Sequence, residues 1–218
     1  MEGQPMVTMV NGSWHIEGYP DASSFVLLKS ETARRLSGLR IHEQILQQCS
    51  ATFDELPQIP FSLQNVRQST IAGIAISFFS CFGRNSVMAK LRAEKVFKGM
   101  PDARKGFEYW KAVRDNHISH NVNEFTQAFT GLVLRADGEV QDVLSINFVG
   151  AIDDDAHLQL LYNLIQHTLK YVQACAAEAH AKVLKEGQEM SPSQRQALEP
   201  VVYRAPLADG AFKERSRL

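Results

Sequence analysis

Leu161, Ile165, Thr168, Val172, Cys175, Ala179 and Val183 follow one another at intervals of three and four residues. That interval keeps side chains on one side of an α-helix, so the chain holds one long amphipathic helix. Such a helix is stable when other elements cover its apolar stripe. Asp153, Asp154 and Asp155 precede it. Their oxygens suit the cap of a first turn, and their charge opposes the positive end of the helix dipole. The rest of the chain must supply the cover.

Four or five helices are expected in all. A first begins at Asp21 or Ser23 and runs to about Ser50, with Phe25, Leu28, Leu36, Leu39, Leu46 and Cys49 as its apolar positions. Pro57 and Pro60 break the chain, and Ser62 caps a second helix to about Phe82. Its run Ile71 to Gly83 is the most apolar stretch in the sequence. That run is shorter than the roughly 20 residues a spanning helix needs, so it reads as a buried core helix and no membrane contact is expected. Gly83-Arg84-Asn85 makes a turn, and Ser86 caps a third helix to Lys98. Gly99-Met100-Pro101 ends it, because Pro101 has no amide hydrogen to continue the ladder. Asp102 opens a fourth helix that buries Phe107, Trp110 and Val113, and Ser191 starts a short one near the end.

From about Phe129 to Val149 two β-prone runs flank Ala136-Asp137-Gly138, a hairpin pattern. The expected fold is therefore mainly α: a helical bundle with a small β-hairpin insertion before the last long helix. Residues 1–20 read as an irregular N-terminal arm, 21–190 as the bundle and 191–218 as a C-terminal tail.

The chain has 218 residues, 44% of them apolar and 22% charged, enough for one generous core and against wholesale disorder. Its first residues lack a basic stretch followed by an apolar run, so no secretory signal is read there. Cys49, Cys81 and Cys175 are isolated and odd in number, which fits reduced thiols and a cytoplasmic protein. Net charge is −1, so no overall field draws nucleic acid to the chain. The charge is nevertheless segregated. Nine Lys and Arg residues lie between Arg84 and Arg114 against three acids, whereas Arg135 is the one cation from Asp115 to Asp155. A basic stretch of this kind suits a phosphate backbone. Solvated helix faces, or pairing with the acidic region, account for it equally well.

The segment Trp110 to Asn123 concentrates Arg114, Asp115, Asn116, His117 and His120 where the fourth helix is expected to end or bend. Polar groups so dense are costly in a core, so the segment is either exposed or a site. Metal-independent RNA cleavage needs a group that exchanges protons near neutral pH, and histidine is the natural choice. It also needs fixed positive charge at the phosphorane, which a guanidinium supplies. Arg114 followed six positions later by His120 resembles the Arg-x(4–6)-His signature of the HEPN superfamily (higher eukaryotes and prokaryotes nucleotide-binding), and Arg-Asp-Asn-His-Ile-Ser-His is most similar to its abortive-infection members. The order of helices around the motif fits too, over about residues 60–186. Arg35 and His42 also have the spacing, but Leu36 stands where the family has a polar residue.

The resemblance implies a metal-independent endoribonuclease, a toxin or antiphage effector, acting on RNA as a homodimer with a possible cognate antitoxin. Arg114 would stabilise phosphate charge, His120 would act as general acid or base, and Asp115 would orient one of them. Lys111, Arg104, Lys105 and Asn116 would guide RNA. On an unbroken α-helix Arg114 and His120 lie roughly 120° apart, and Arg114 and His117 roughly 60°. The motif residues then converge only if the segment distorts near Asn116 to Ser119 or if two subunits share a cleft, and His117 stays a secondary candidate. The plainer expectation is a binding module for a protein or nucleotide, with an inert motif whose histidines are solvated at a helix end. His117 and His120 make two local ligands without a cysteine, short of a zinc set, and no Gly-rich phosphate loop occurs. Neither metal nor cofactor is expected.

Overall fold

The computed structural model describes residues 7–10, 13–22, 24–83, 90–118, 126–149 and 154–201. The fold is mainly helical, with a small antiparallel hairpin before the last long helix. In order, the elements are β1 (Val7–Val10), β2 (Ser13–Ile16), α1 (Glu31–Glu55), α2 (Gln64–Ser80), α3 (Ala93–Val96), α4 (Pro101–Val113), β3 (Thr126–Leu134), β4 (Val140–Val149), α5 (Asp155–Glu189) and α6 (Pro192–Gln196). Two short 3-10 turns, Leu56–Gln58 and Phe61–Leu63, join α1 to α2, and one π-helical turn, Arg114–Ile118, extends α4. No helix among the described residues is long and apolar enough to cross a membrane.

The chain divides into two compact units, with the boundaries inside α1 and α5. The larger, Gly38–Ala176, holds the bundle. In α2, Ile71, Ile74, Ala75, Phe78 and Phe79 are buried, the repeat of one helical stripe. In α4 the buried residues are Gly106, Phe107, Trp110 and Val113, and in α5 they include Leu158, Leu161, Leu164, Ile165, Thr168 and Val172. The helices are tied across their contacts. Trp110 is wholly buried and its Nε1 donates to the His157 carbonyl at 3.0 Å, pinning α4 to the start of α5. Gln166 donates to Ser50 Oγ at 2.6 Å, and the rings of Phe53 and Tyr162 lie 5.1 Å apart, joining α5 to α1. Thr168 sits in the core because its hydroxyl donates to the Leu164 carbonyl at 2.7 Å, leaving no unmet donor.

The smaller unit comprises residues 1–37 and 177–218. Its β1 and β2 pair antiparallel from Val7↔Ile16 to Val10↔Ser13, flanking Asn11-Gly12 within the expected irregular arm. The expected first helix starts eight to ten residues later than its signal at Asp21 or Ser23, at Glu31, behind Ser30, whose hydroxyl accepts from the Ala33 amide at 3.1 Å. The residues before it pair elsewhere. Leu27 N donates to the Glu199 carbonyl and Val201 N to the Phe25 carbonyl, forming a bridge between Val26 and Pro200. Ser191 caps α6 with a reciprocal capping box to Gln194.

Residues 84–89 lie outside the described ones, and among the described residues of the expected third helix, Ser86 to Lys98, the helix covers Ala93–Val96. Leu91 N donates to the Cys81 carbonyl at 2.9 Å and Arg92 is extended, so this stretch is drawn across the end of α2 instead.

Candidate functional site

The end of α2, the strand-like stretch before α3 and the outer side of α4 surround a pocket of about 280 Å³ in the larger unit. Its apolar wall is Phe79, Phe82 and Phe107, with ring centroids 4.8 to 6.5 Å apart. Its polar lining is Lys90, Arg92, Arg104, Lys111 and Arg114 against Glu94 and Glu108. Five cations and two carboxylates leave the pocket positive although the chain as a whole is slightly negative.

Local sequence explains the arrangement. Arg104, Glu108 and Lys111 recur at four and three along α4, which puts them on one face, opposite the buried Trp110 and Val113 stripe. The two carboxylates are partly engaged: Arg104 lies 3.4 Å from Glu108 and 3.5 Å from Glu94. Lys90, Arg92 and Lys111 have no ion-pair partner among the described residues, and all three are exposed.

Arg114 is the most constrained of the cations. Its side chain is 26% exposed, its Nε donates to Asp115 Oδ1 at 2.7 Å, and its Nη2 also pairs with that carboxylate. The guanidinium carbon lies 5.1 Å from the centroid of the Phe79 ring, so the planar group rests against an aromatic surface. Arg114 opens the π-helical turn Arg114–Ile118, a widened geometry that overlaps the stretch near Asn116 to Ser119 where distortion was one of two expected ways for the motif to converge.

The other expected site residues are placed as follows. Asp115 contacts Arg114 and is itself outside the pocket lining. Asn116 is exposed on the π turn. Arg104 and Lys111 line the pocket, whereas Lys105 does not. It is highly exposed and 3.9 Å from Asp102. His117 belongs to the π turn by its backbone, and its side chain lies outside the described part; His120 lies wholly outside it. Sequence reasoning missed the aromatic wall, because Phe79, Phe82 and Phe107 have the spacing of core residues. It also gave no individual role to Lys90 and Arg92. The available signal was the crowding of phenylalanines among clustered cations.

Several other titratable groups have structural tasks. His42, of the alternative Arg35 and His42 pair, is 1% exposed in α1 and belongs to the core. His167 Nε2 is 2.9 Å from the Val96 carbonyl, and its ring stacks 5.7 Å from Phe97, holding α3 to α5. Asp154 accepts from the Ala156 and His157 amides as the α5 cap, which holds its carboxyl below the usual range. Burial pushes the Cys49 thiol up to about 11 and the Cys81 thiol up to about 12, so neither is a nucleophile near neutral pH. Among the described residues no three His, Cys, Asp or Glu side chains gather where a metal ion would fit.

Comparison with family profiles, with curated proteins and with solved structures yields no match. Inference about function therefore rests on the pocket and the sequence motif.

Proposed function

We propose that this chain is a metal-independent endoribonuclease that holds an RNA phosphate in the cationic pocket and cleaves beside it with Arg114 and His120. The observation that carries the reading is Arg114 itself. It is oriented by Asp115 and Phe79 at the edge of a pocket with four further cations and begins the short segment that leads to His120. A half-buried guanidinium offers charge-assisted hydrogen bonds of higher strength than a fully solvated one.

In the proposed reaction a base removes the proton of the ribose 2′-OH, and O2′ attacks phosphorus. The phosphorane carries added negative charge that Arg114 stabilises. The bond to O5′ then breaks as that oxygen gains a proton, giving a 2′,3′-cyclic phosphate and a 5′-hydroxyl. His120 takes one of the two proton transfers. A homodimer in which two motifs share a cleft, and a role as a toxin or antiphage effector with a cognate antitoxin, extend the same proposal through the HEPN resemblance.

One observation favours the second reading, a binding module without catalysis: Asp115 already neutralises Arg114. The two readings separate in one assay. Labelled single-stranded RNA is incubated in EDTA with wild type, His120→Ala and Arg114→Gln, and binding is followed in parallel. The enzyme reading expects wild-type cleavage to cyclic-phosphate ends, lost in both variants while His120→Ala still binds. Binding by wild type without any cleavage selects the module. Lys105→Ala, outside the pocket, is the control that leaves both readouts unchanged.

A further inference from the structure

The β3–β4 hairpin is a two-stranded sheet, and every residue from Phe129 to Ile146 is exposed. Its register pairs Phe129 with Ile146, Gly131 with Leu144 and Leu132 with Val143. Phe129, Leu144 and Ile146 share one face, whereas Leu132 and Val143 share the other, and each of the five keeps 44 to 61% of its surface in contact with solvent. An isolated two-stranded ribbon is marginal in water, and contiguous apolar exposure of this kind marks an interaction surface. Edge strands that stay solvated normally carry Lys, Pro or inward charges that prevent pairing. β3, from Thr126 to Leu134, has no charged residue and no proline.

We infer that β3 is a self-association edge: two copies of this chain pair β3 antiparallel about Thr130, making a four-stranded sheet with order β4-β3-β3-β4. Three features favour a second copy over a foreign strand. The first is size. Pairing about Thr130 places Phe129 of each copy directly opposite Gly131 of the other, on the face shared with Ile146 and Leu144. A Cβ built at Gly131 meets nothing within 4 Å, so an aromatic ring has room to cover that glycine. An aromatic residue opposite a glycine is a stabilising cross-strand pair. The second is charge. The hairpin's charged residues, Arg135, Asp137, Glu139 and Asp142, cluster at its turn end. Antiparallel pairing sends the two acidic turns to opposite ends of the sheet, and no like charges meet along the seam. The third is continuity. Rows Ile146-Phe129-Gly131-Leu144 then run across both copies as a single apolar band. This inference is independent of RNA chemistry.

Sedimentation of the full chain at tens of micromolar tests it, with helical circular dichroism as the check on folding. Wild type is expected at twice the chain mass. Thr130→Lys puts two like charges opposite each other on the symmetry axis and weakens the dimer by at least about tenfold with helix content unchanged. Opposed residues of an antiparallel pair lie about 4.5 to 5.5 Å apart between Cα atoms, within disulfide reach. In a Cys175→Ser background, Thr130→Cys therefore crosslinks to a covalent dimer on mild oxidation, and Asp137→Cys at the turn does not. A wild-type monomer, a Thr130→Lys dimer of undiminished affinity, or crosslinking that favours position 137 would each overturn the assignment.

Discussion

Arg114 makes two kinds of contact that a lysine cannot reproduce together. Two of its nitrogens approach one carboxylate oxygen of Asp115, and its guanidinium carbon lies over the Phe79 ring. An ammonium keeps the charge but loses the planar fork and most of the stacking. Arg114→Lys therefore separates charge from orientation. RNA affinity, which depends on summed charge, is expected to change by less than about threefold. The cleavage rate is expected to fall by about a hundredfold, the scale for misplacing one preorganised donor at a developing oxyanion. Single-turnover cleavage beside an anisotropy titration checks both numbers, and a variant that cuts at the wild-type rate would remove Arg114 from the reaction. The ion pair itself adds little stability, because Asp115 is 46% exposed and solvent screens it.

Among the elements, the contact of α4 with α5 depends on a residue without a side chain. A Cβ built at Gly106 falls 2.7 Å from Leu160 Cδ1 and 3.0 Å from its Cγ. Leu160 is a flexible side chain, so one methyl displaces it at modest cost, and alanine returns about 1 kcal/mol of helix propensity. Gly106→Ala is expected to lie within about 1 kcal/mol of wild type. Gly106→Leu must separate the two helices and is expected to lose about 1 to 3 kcal/mol in urea unfolding, the usual range for overpacking. Equal stability of the two variants would mean that the helices are not in close contact there.

The same two helices show what the sequence makes legible. α4 starts at Pro101, one residue before the expected Asp102, and the stripe from Leu161 to Ala179 is buried at Leu161, Ile165, Thr168, Val172 and Ala179, because proline geometry and helical period act locally. The start of α1 was not legible. Phe25 to Leu28 have helix-compatible residues but pair with a strand-like stretch at Glu199 to Val201, some 170 positions away. The shortened α3 has a similar cause, since the Leu91 amide bonds to the Cys81 carbonyl rather than within a helix. At the site, Arg104, Lys111 and Arg114 were legible as part of the cation-rich stretch from Arg84 to Arg114. The pocket was not, because phenylalanines that form a core and those that line a cavity have identical spacing.

At the scale of the whole molecule, an overall charge of −1 gives phosphate no long-range attraction, so any RNA affinity comes from the pocket cations within a Debye length of the bound strand. This makes salt dependence a sharp test. Binding that displaces counterions from Z phosphates gives a slope of about −0.7 Z in log affinity against log salt for a single strand. Lys90, Arg92 and Lys111 line the pocket without an ion-pair partner among the described residues, so a strand that engages these three displaces counterions from about three phosphates and the expected slope is about −2. Lys111 has no ion-pair partner among the described residues, so Lys111→Ala removes a full contact and makes the slope shallower by about 0.7. Arg104→Ala also frees Glu94 and Glu108, its two partners, and weakens binding further than its own charge predicts. Lys105→Ala leaves the slope unchanged, because that side chain extends into solvent beside Asp102. Anisotropy titrations across a salt series give all four slopes. A flat wild-type line, or equal losses at Lys105 and Lys111, would place RNA contact away from this pocket.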